Sequence, residues 1–178
     1  MARTRTLLLL AAAYAASCSL LAEQVAAGGK KAAVAEICKG TAFPDVCTKT
    51  AGKHAKRYPT VDALTVLQMQ VDAFYKRTAA ARARVAKKVR KASPTARSAL
   101  ELCNRLYLDA EDNLGACRRA IGFKDAVTIR ATMSMAAQDM QNCDEKFRQV
   151  GEKKNPLERF NKSLLKMTEI CRSLSNMI

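Results

Sequence analysis

The sequence contains one histidine and no tryptophan, and the single histidine limits the chemistry that the chain can perform. A di-iron helical bundle requires two Glu-x-x-His sets, which one histidine cannot supply. No residue near His54 forms a nucleophile on a strained turn, so we interpret His54 as an exposed loop residue and not as part of a Ser-His-Asp triad. The sequence also has no glycine-rich loop for binding a phosphate. It therefore predicts neither enzyme activity nor a cofactor.

Beyond its first residues, the sequence has no apolar run that approaches the roughly 20 residues needed to span a membrane. The N-terminal run, residues 7–22, is short, rich in alanine and preceded by a basic head. The small residues Val25-Ala26-Ala27 follow it, as a signal peptidase requires. We therefore predict a signal peptide over residues 1–27, cut after Ala27, and a secreted mature chain over residues 28–178.

Acidic residues are scarce, since the chain has 16 Asp and Glu against 31 Lys and Arg, a net charge of +15 at pH 7. Such a charge attracts an anionic polysaccharide, an acidic protein, a lipid surface or nucleic acid. Secretion argues against a nucleic-acid partner. One stretch has no acidic residue, and its basic residues are Lys76, Arg77, Arg82, Arg84, Lys87, Lys88, Arg90 and Lys91. They spread around much of a predicted helix, which leaves open a solvated helix face or a patch for an anionic partner.

What the sequence does contain is a repeat of apolar positions three and four residues apart, without strand-like alternation. The apolar seams run through residues 100–121, 126–150, 157–178 and, less regularly, 60–91. In the least regular segment we place Tyr75 on the seam and Phe74 beside it. Proline and glycine lie between the segments, so the connections are short and neighbouring helices must be antiparallel. The pattern predicts an all-α protein whose main part, residues 60–178, is an up-and-down four-helix bundle.

The cysteines predict that this bundle is stapled by disulfide bonds. Six of them follow the predicted cut, and an even number in an exported chain indicates disulfides. None has the Cys-x-x-Cys spacing of a zinc site, so we predict no metal. Cys38 and Cys47 would close a small hairpin ahead of the bundle. Cys103 would lie opposite Cys143 in a helical hairpin, within the roughly 7 Å between Cα atoms that a disulfide requires.

Two cysteines and one asparagine remain as candidate modification sites. Cys117 and Cys171 fall on the second and fourth bundle helices, which are diagonal neighbours. A disulfide between them and two buried thiols are therefore alternatives that the sequence leaves open. Asn161-Lys162-Ser163 is a glycosylation sequon just off the apolar seam, which makes Asn161 a candidate glycosylation site.

Four groups of residues occur in an order and spacing typical of one protein family. They are Ile37-Cys38, Thr41, Phe43-Pro44 and Cys47; Cys103-Asn104-Arg105-Leu106-Tyr107 with Ala110 and Leu114; Met133-Ser134-Met135-Ala136-Ala137 with Asp139, Cys143 and Phe147; and Asn155-Pro156-Leu157 with Asn161. In this combination the chain resembles the plant invertase and pectin methylesterase inhibitors, over about residues 34–178. The resemblance implies an up-and-down four-helix bundle preceded by a short N-terminal α-hairpin, residues 34–55. The family's disulfides would correspond to Cys38–Cys47 and Cys103–Cys143.

The resemblance also implies a protein that binds one-to-one over the substrate cleft of a plant carbohydrate-active enzyme. One branch of the family blocks pectin methylesterase and the other blocks acid invertase, a β-fructofuranosidase. The invertase branch often has Pro-Lys-Phe where this chain has Asp125-Ala126-Val127-Thr128. On the other side, Ala137-Gln138-Asp139 replaces the Ala-Leu-Thr common in pectin methylesterase inhibitors. We favour pectin methylesterase as the target and keep acid invertase as the alternative.

The implied location is the apoplast and cell wall, or the vacuole if the target is a vacuolar invertase. De-esterified pectin, a polyanion, is a further candidate partner for so basic a chain. A hypothesis of another class is a cationic cell-wall or membrane-binding protein without inhibitory activity. The salt concentration separates these hypotheses. At 0.15 M salt the Debye length is only about 8 Å, so the affinity for a polyanion falls steeply as salt is added. A shape-matched inhibitory contact persists at that salt concentration.

Overall fold

The computed structural model describes residues 26–178, so the predicted signal peptide lies outside the described residues except for its last two. Helix α1 is described over residues 26–38. The helices that follow are α2 (Pro44–Ala51), α3 (Ala63–Val89), α4 (Pro94–Gly122), α5 (Ala126–Gln149) and α6 (Glu158–Ser175), with a 3-10 helix at Ala55–Arg57. The described part of the chain contains no strand, which confirms the predicted all-α class. In that same part, none of the helices is sufficiently long and apolar to cross a bilayer.

Helices α3 to α6 form the predicted up-and-down four-helix bundle. Helix α4 packs between α3 and α5, and α6 packs between α5 and α3, so α4 and α6 lie on the diagonal. Helix α2 packs on α3 and α6. We call this end, which also contains the α4–α5 connection, the hairpin end. The opposite end, with the α3–α4 and α5–α6 connections, is the distal end. The first arm of the hairpin is longer than predicted, because α1 is already helical at residue 26.

Local hydrogen bonds set where the long helices begin and end. Asp62 and Thr65 form a capping box at the start of α3, in which Asp62 Oδ1 accepts from Thr65 N at 2.8 Å and Thr65 Oγ1 accepts from Asp62 N at 2.9 Å. Helix α5 ends in a Schellman motif, since Glu152 N donates to Phe147 O at 3.1 Å. Gly151 supplies the left-handed residue of that motif with a φ of 73°. Glycine adopts this conformation without steric cost.

The predicted apolar seams of α4 and α5 and of α6 up to Leu174 are mostly buried, whereas Ile178 is 37% exposed. In α3 the predicted seam is buried only in part: Val71 and Val85 are in the core and Tyr75 is not. Phe74 is fully buried and Tyr75 is 36% exposed, so the placement of Tyr75 on the seam is wrong. The Arg118 guanidinium lies 4.7 Å from the centroid of the Tyr75 ring, a surface cation–π contact. Thr78 is buried instead, and its hydroxyl donates to Phe74 O at 3.1 Å. A threonine that satisfies its hydroxyl within its own helix can occupy a core position.

Candidate functional site

A disulfide and two hydrogen bonds fasten the α1–α2 hairpin to the bundle. Cys38 and Cys47 are bonded, with their Cα atoms 5.6 Å apart. Gln70 Nε2 on α3 donates to Cys47 O at 2.8 Å. Ala42 N donates to Ser173 Oγ on α6 at 3.2 Å. The hairpin is thereby fixed to two helices of the bundle at once.

A second disulfide joins α4 to α5, and two other cysteines remain thiols. Cys103 and Cys143 are bonded, with their Cα atoms 4.8 Å apart. Cys117 and Cys171 are free and buried, so the tentative pairing gives way to the alternative of two buried thiols. Their helices, α4 and α6, lie on the diagonal of the bundle. Burial raises the pKa of Cys117 to about 11 and also raises the pKa of Cys171, which keeps both thiols protonated and unreactive.

Asn161, the candidate glycosylation site, is fully buried. Its contacts correct the prediction that its side chain is available for a glycan. Asn161 Oδ1 accepts from Tyr107 Oη at 2.5 Å, and Asn161 Nδ2 donates to Asp144 Oδ1 at 2.6 Å. Asn155 Nδ2 donates to the same oxygen of Asp144 at 2.5 Å. Burial raises the pKa of Asp144, and the two amide donors oppose that rise. A glycan on Asn161 would break this network. A seam tyrosine needs a partner for its hydroxyl, and this was the overlooked signal for a buried Asn161.

The basic run of α3 does not form one patch. Arg82 Nη1 lies 2.7 Å from Glu111 Oε2, and the Glu111 side chain is only 10% exposed. Arg82 therefore belongs to an ion pair between α3 and α4. This contact corrects the prediction that Arg82 is part of a patch for an anionic partner. The Arg77 guanidinium lies 4.8 Å from the centroid of the Phe160 ring on α6. These two arginines tie α3 to its neighbours.

Near the hairpin end, His54 and Lys76 border a cavity of about 230 Å³. His54 is partly buried there and not the exposed loop residue that we predicted. Burial, Arg57 and Lys76 lower the pKa of His54. Asp72, which also lines the cavity, pairs with Arg118 Nη2 at 2.8 Å. Over residues 26–178, no three His, Cys, Asp or Glu side chains group together as a metal site would require.

A groove of about 500 Å³ lies at the distal end, and four other basic residues of the run line it. Arg90 is exposed and is not part of the lining. The basic residues that line this distal groove are Arg84, Lys87, Lys88, Lys91 and Lys154. Its acidic residue is Glu152, whose Oε1 accepts from Ser93 Oγ at 3.0 Å and from Thr95 Oγ1 at 2.9 Å. Lys154 and Glu152 were missed from sequence, because the α5–α6 connection that carries them is remote from α3 along the chain.

Helices α4 and α5 also present a surface with exposed carboxylates, which we call the α4–α5 face. Its residues are Asp109 and Asp112 of α4 and Met135 and Asp139 of α5, and the exposed Arg105 lies one turn before Asp109. Met135 is 49% exposed. Asn113 Nδ2 on α4 donates to Asp139 Oδ2 on α5 at 3.4 Å, which brings the carboxylates of the two helices to one side. Burial and the nearby Asp109 raise the pKa of Asp139 to about 6.

Comparisons with known proteins agree with this geometry. The mutant form A of a pectin methylesterase inhibitor from Arabidopsis has the same fold, with a TM-score of 0.66 and 17% identity over 80% of this chain and 94% of that chain. A pectin methylesterase inhibitor from Arabidopsis thaliana has a TM-score of 0.61 and 16% identity over 81% of this chain and 94% of that chain. No curated protein matches the chain at a significant level. The model of the plant invertase/pectin methylesterase inhibitor family matches residues 32–174. The chain therefore belongs to the plant invertase/pectin methylesterase inhibitor family.

Proposed function

We propose that this protein inhibits a plant pectin methylesterase by binding one-to-one over its substrate cleft, and that it has no catalytic activity of its own. Its family consists of inhibitors of invertase and pectin methylesterase. The observation that carries the choice of target is that two solved structures that share this fold are both pectin methylesterase inhibitors. The exposed carboxylates of Asp109 and Asp112 on α4 would also suit a cleft that accepts a polymer with carboxylates.

Rigidity of the α4–α5 face supports an inhibitory role. The Cys103–Cys143 disulfide links the two helices that form the face. On the inner side, the Tyr107 hydroxyl binds Asn161 of α6. A face held in this way loses little conformational freedom when it docks, which lowers the entropic cost of association.

We also propose that the protein acts in the apoplast and cell wall. Its two disulfides support this location, since such bonds persist in oxidising compartments. In this proposal residues 1–27 are a signal peptide cut after Ala27, and residues 28–178 form the inhibitor domain. That domain comprises the hairpin over residues 34–55 and the bundle over residues 60–178. De-esterified pectin, a polyanion, would retain so basic a protein in the wall.

Acid invertase is the second candidate target, because Gln138 and Asp139 depart from the residues common in pectin methylesterase inhibitors. The test is to titrate the mature protein into a plant pectin methylesterase and a plant acid invertase at mildly acidic pH and 0.15 M salt. We expect saturable one-to-one inhibition of the methylesterase. Inhibition of the invertase alone would replace the target. If a folded protein inhibited neither enzyme, the cationic wall-binding hypothesis would take the place of this proposal.

Substitutions can locate the contact surface. Met135→Lys, at a 49% exposed position of the α4–α5 face, is expected to weaken inhibition at least tenfold, because it places a long, positively charged side chain in the contact. Val127→Lys is the matched control, since Val127 is 70% exposed at the start of α5 and outside the face. Equal inhibition by both variants, with unchanged urea midpoints, would place the contact elsewhere on the bundle.

A further inference from the structure

We propose that the distal groove binds a short segment of a linear polyuronate, a polysaccharide with one carboxylate per sugar. The groove and its basic lining carry this inference without reference to any enzyme. Only the statement that this site is separate from the inhibitory face rests on the proposed function. The protein would then hold a wall polymer at one end of the bundle and its target enzyme along the α4–α5 face.

The spacing of the basic residues indicates a ligand with repeated charges. Arg84 and Lys88, like Lys87 and Lys91, are four positions apart, and Lys91 lies in the turn that directly follows α3, so these residues lie on one side of the end of the helix. At 1.5 Å per residue, this row is about 10 Å long. Lys154 lines the same groove from the α5–α6 connection. A groove of about 500 Å³ with a row of four cations on one side and Lys154 on the other fits a chain-like anion better than a single compact one.

The apolar part of the lining argues against other anionic ligands. Leu100 and Phe147 line the groove but are only 1% and 2% exposed, so no aromatic face is open for a nucleobase to stack on. A lipid surface requires a helix with an exposed apolar face beside its basic residues. The exposed residues between the cations of α3 include Ala83 and Ala86, which are small. A hydrophilic polymer with carboxylates therefore suits this groove better than a nucleic acid or a lipid surface does.

A substitution of Glu152 can test whether the polymer binds in the groove or is attracted by the net positive charge of the whole chain. It is the one acidic residue in the lining, and hydroxyl donors from Ser93 and Thr95 hold its Oε1. A glutamine at this position can still accept both hydrogen bonds through its amide oxygen. Glu152→Gln is therefore expected to bind a polyuronate about two- to threefold more tightly, because it removes one repulsive charge and keeps the local structure.

The test measures the affinity of the mature protein for oligogalacturonate by calorimetry at 0.1 M salt, with no enzyme present. The double variant Lys87→Glu/Lys91→Glu is expected to bind about tenfold more weakly. The matched control is Lys49→Glu/Lys53→Glu, which changes the net charge by the same amount at exposed positions of the hairpin end. Equal losses in the two double variants would overturn the groove and indicate attraction to net charge alone. Tighter binding of a sulfated oligosaccharide of equal length would overturn the assignment to polyuronates.

Inhibition assays with the same variants separate this inference from the proposed function. Lys87→Glu/Lys91→Glu is expected to inhibit the target enzyme as well as the unsubstituted protein does, with a soluble substrate. Loss of inhibition in this variant, with an unchanged urea midpoint, would overturn the separation of the two sites. If the unsubstituted protein inhibited no enzyme, only the proposed function would fail, and the calorimetric result would stand.

Discussion

Tyr107 on α4 donates its hydroxyl hydrogen to Asn161 Oδ1 on α6 at 2.5 Å, across the diagonal of the bundle. Both side chains are fully buried. Helix α5 contributes Asp144, whose carboxylate accepts from Asn161 Nδ2 at 2.6 Å. One asparagine thus connects three of the four bundle helices, and the packing of the core depends on polar contacts as well as on apolar ones.

Removal of Asn161 is expected to destabilise the protein strongly. Asn161→Leu would leave the Tyr107 hydroxyl and the Asp144 carboxylate without this partner, at a cost of about 3 kcal/mol in the free energy of unfolding. Tyr107→Phe removes only one hydroxyl and is expected to cost about 1 kcal/mol. Urea unfolding of both single variants and of the double variant measures their coupling. Strictly additive costs would contradict a direct hydrogen bond between the two residues.

The burial of Asn161 also predicts that its sequon stays unmodified. The protein secreted from a eukaryotic host is expected to have the mass of the unglycosylated polypeptide. Ser163→Ala destroys the sequon and is expected to leave electrophoretic migration unchanged. A glycan on Asn161 in a protein with the same urea midpoint would show that the network with Tyr107 and Asp144 is not required for the fold.

Thiol labelling tests the state of the cysteines. In the mature protein, iodoacetamide is expected to add to no cysteine under native conditions, because Cys117 and Cys171 are buried and burial raises the pKa of both thiols. In denaturant without reductant, mass spectrometry is expected to find both thiols modified. Absence of label in denaturant would mean that Cys117 and Cys171 are bonded. Modification of Cys103 or Cys143 would mean that the α4–α5 disulfide is not formed.

Asp139 predicts a pH dependence of stability. Its pKa of about 6 in the folded protein lies above the ordinary value of 3.8, so folding disfavours the ionised carboxylate. The resulting loss of stability is absent below pH 3.8, grows as the pH rises and is complete above pH 6. Asp139→Asn is expected to raise the free energy of unfolding by about 1 kcal/mol at pH 7.5 and to change little at pH 3.5. Asp112→Asn, at an exposed position of α4, is the control; a gain from Asp139→Asn that is independent of pH would contradict this explanation.

Two glycines with different backbone conformations make a matched pair. Gly151 has a φ of 73° and open space where the methyl group of an alanine would point, so Gly151→Ala is expected to cost about 1 kcal/mol through backbone strain alone. Gly122 is the last residue of α4 and has equally open space. Gly122→Ala is expected to stabilise the protein by about 0.5 kcal/mol, because alanine restricts the unfolded chain. Thermal unfolding that shifted in the same direction for both variants would contradict the assignment of strain to Gly151.

The spacing of apolar residues was sufficient to predict the four bundle helices, because a core-facing helix must repeat every three to four residues. It was less accurate in α3, where Tyr75 is 36% exposed although it was placed on the seam, and where the polar Thr78 is buried because its hydroxyl is satisfied within the helix. The side-chain contacts between helices could not be predicted from the sequence either. The buried Tyr107 signals that its hydroxyl needs a partner, but nothing local identifies Asn161 as that partner, and nothing local to Arg82 indicates that Glu111 lies opposite. The distal groove combines residues of two connections that only the fold brings together.

The order of the disulfides along the chain has a consequence for oxidation during synthesis. Cys38–Cys47 can close before Cys103 has left the ribosome, so the two bonds do not compete. Cys117 is the first thiol to follow Cys103, and it is the wrong partner. Once α4 has formed, the two are separated by about 21 Å along the helix at 1.5 Å per residue, well beyond the roughly 7 Å between Cα atoms that a disulfide spans. If α4 forms before Cys143 is translated, its length keeps Cys103 from pairing with Cys117.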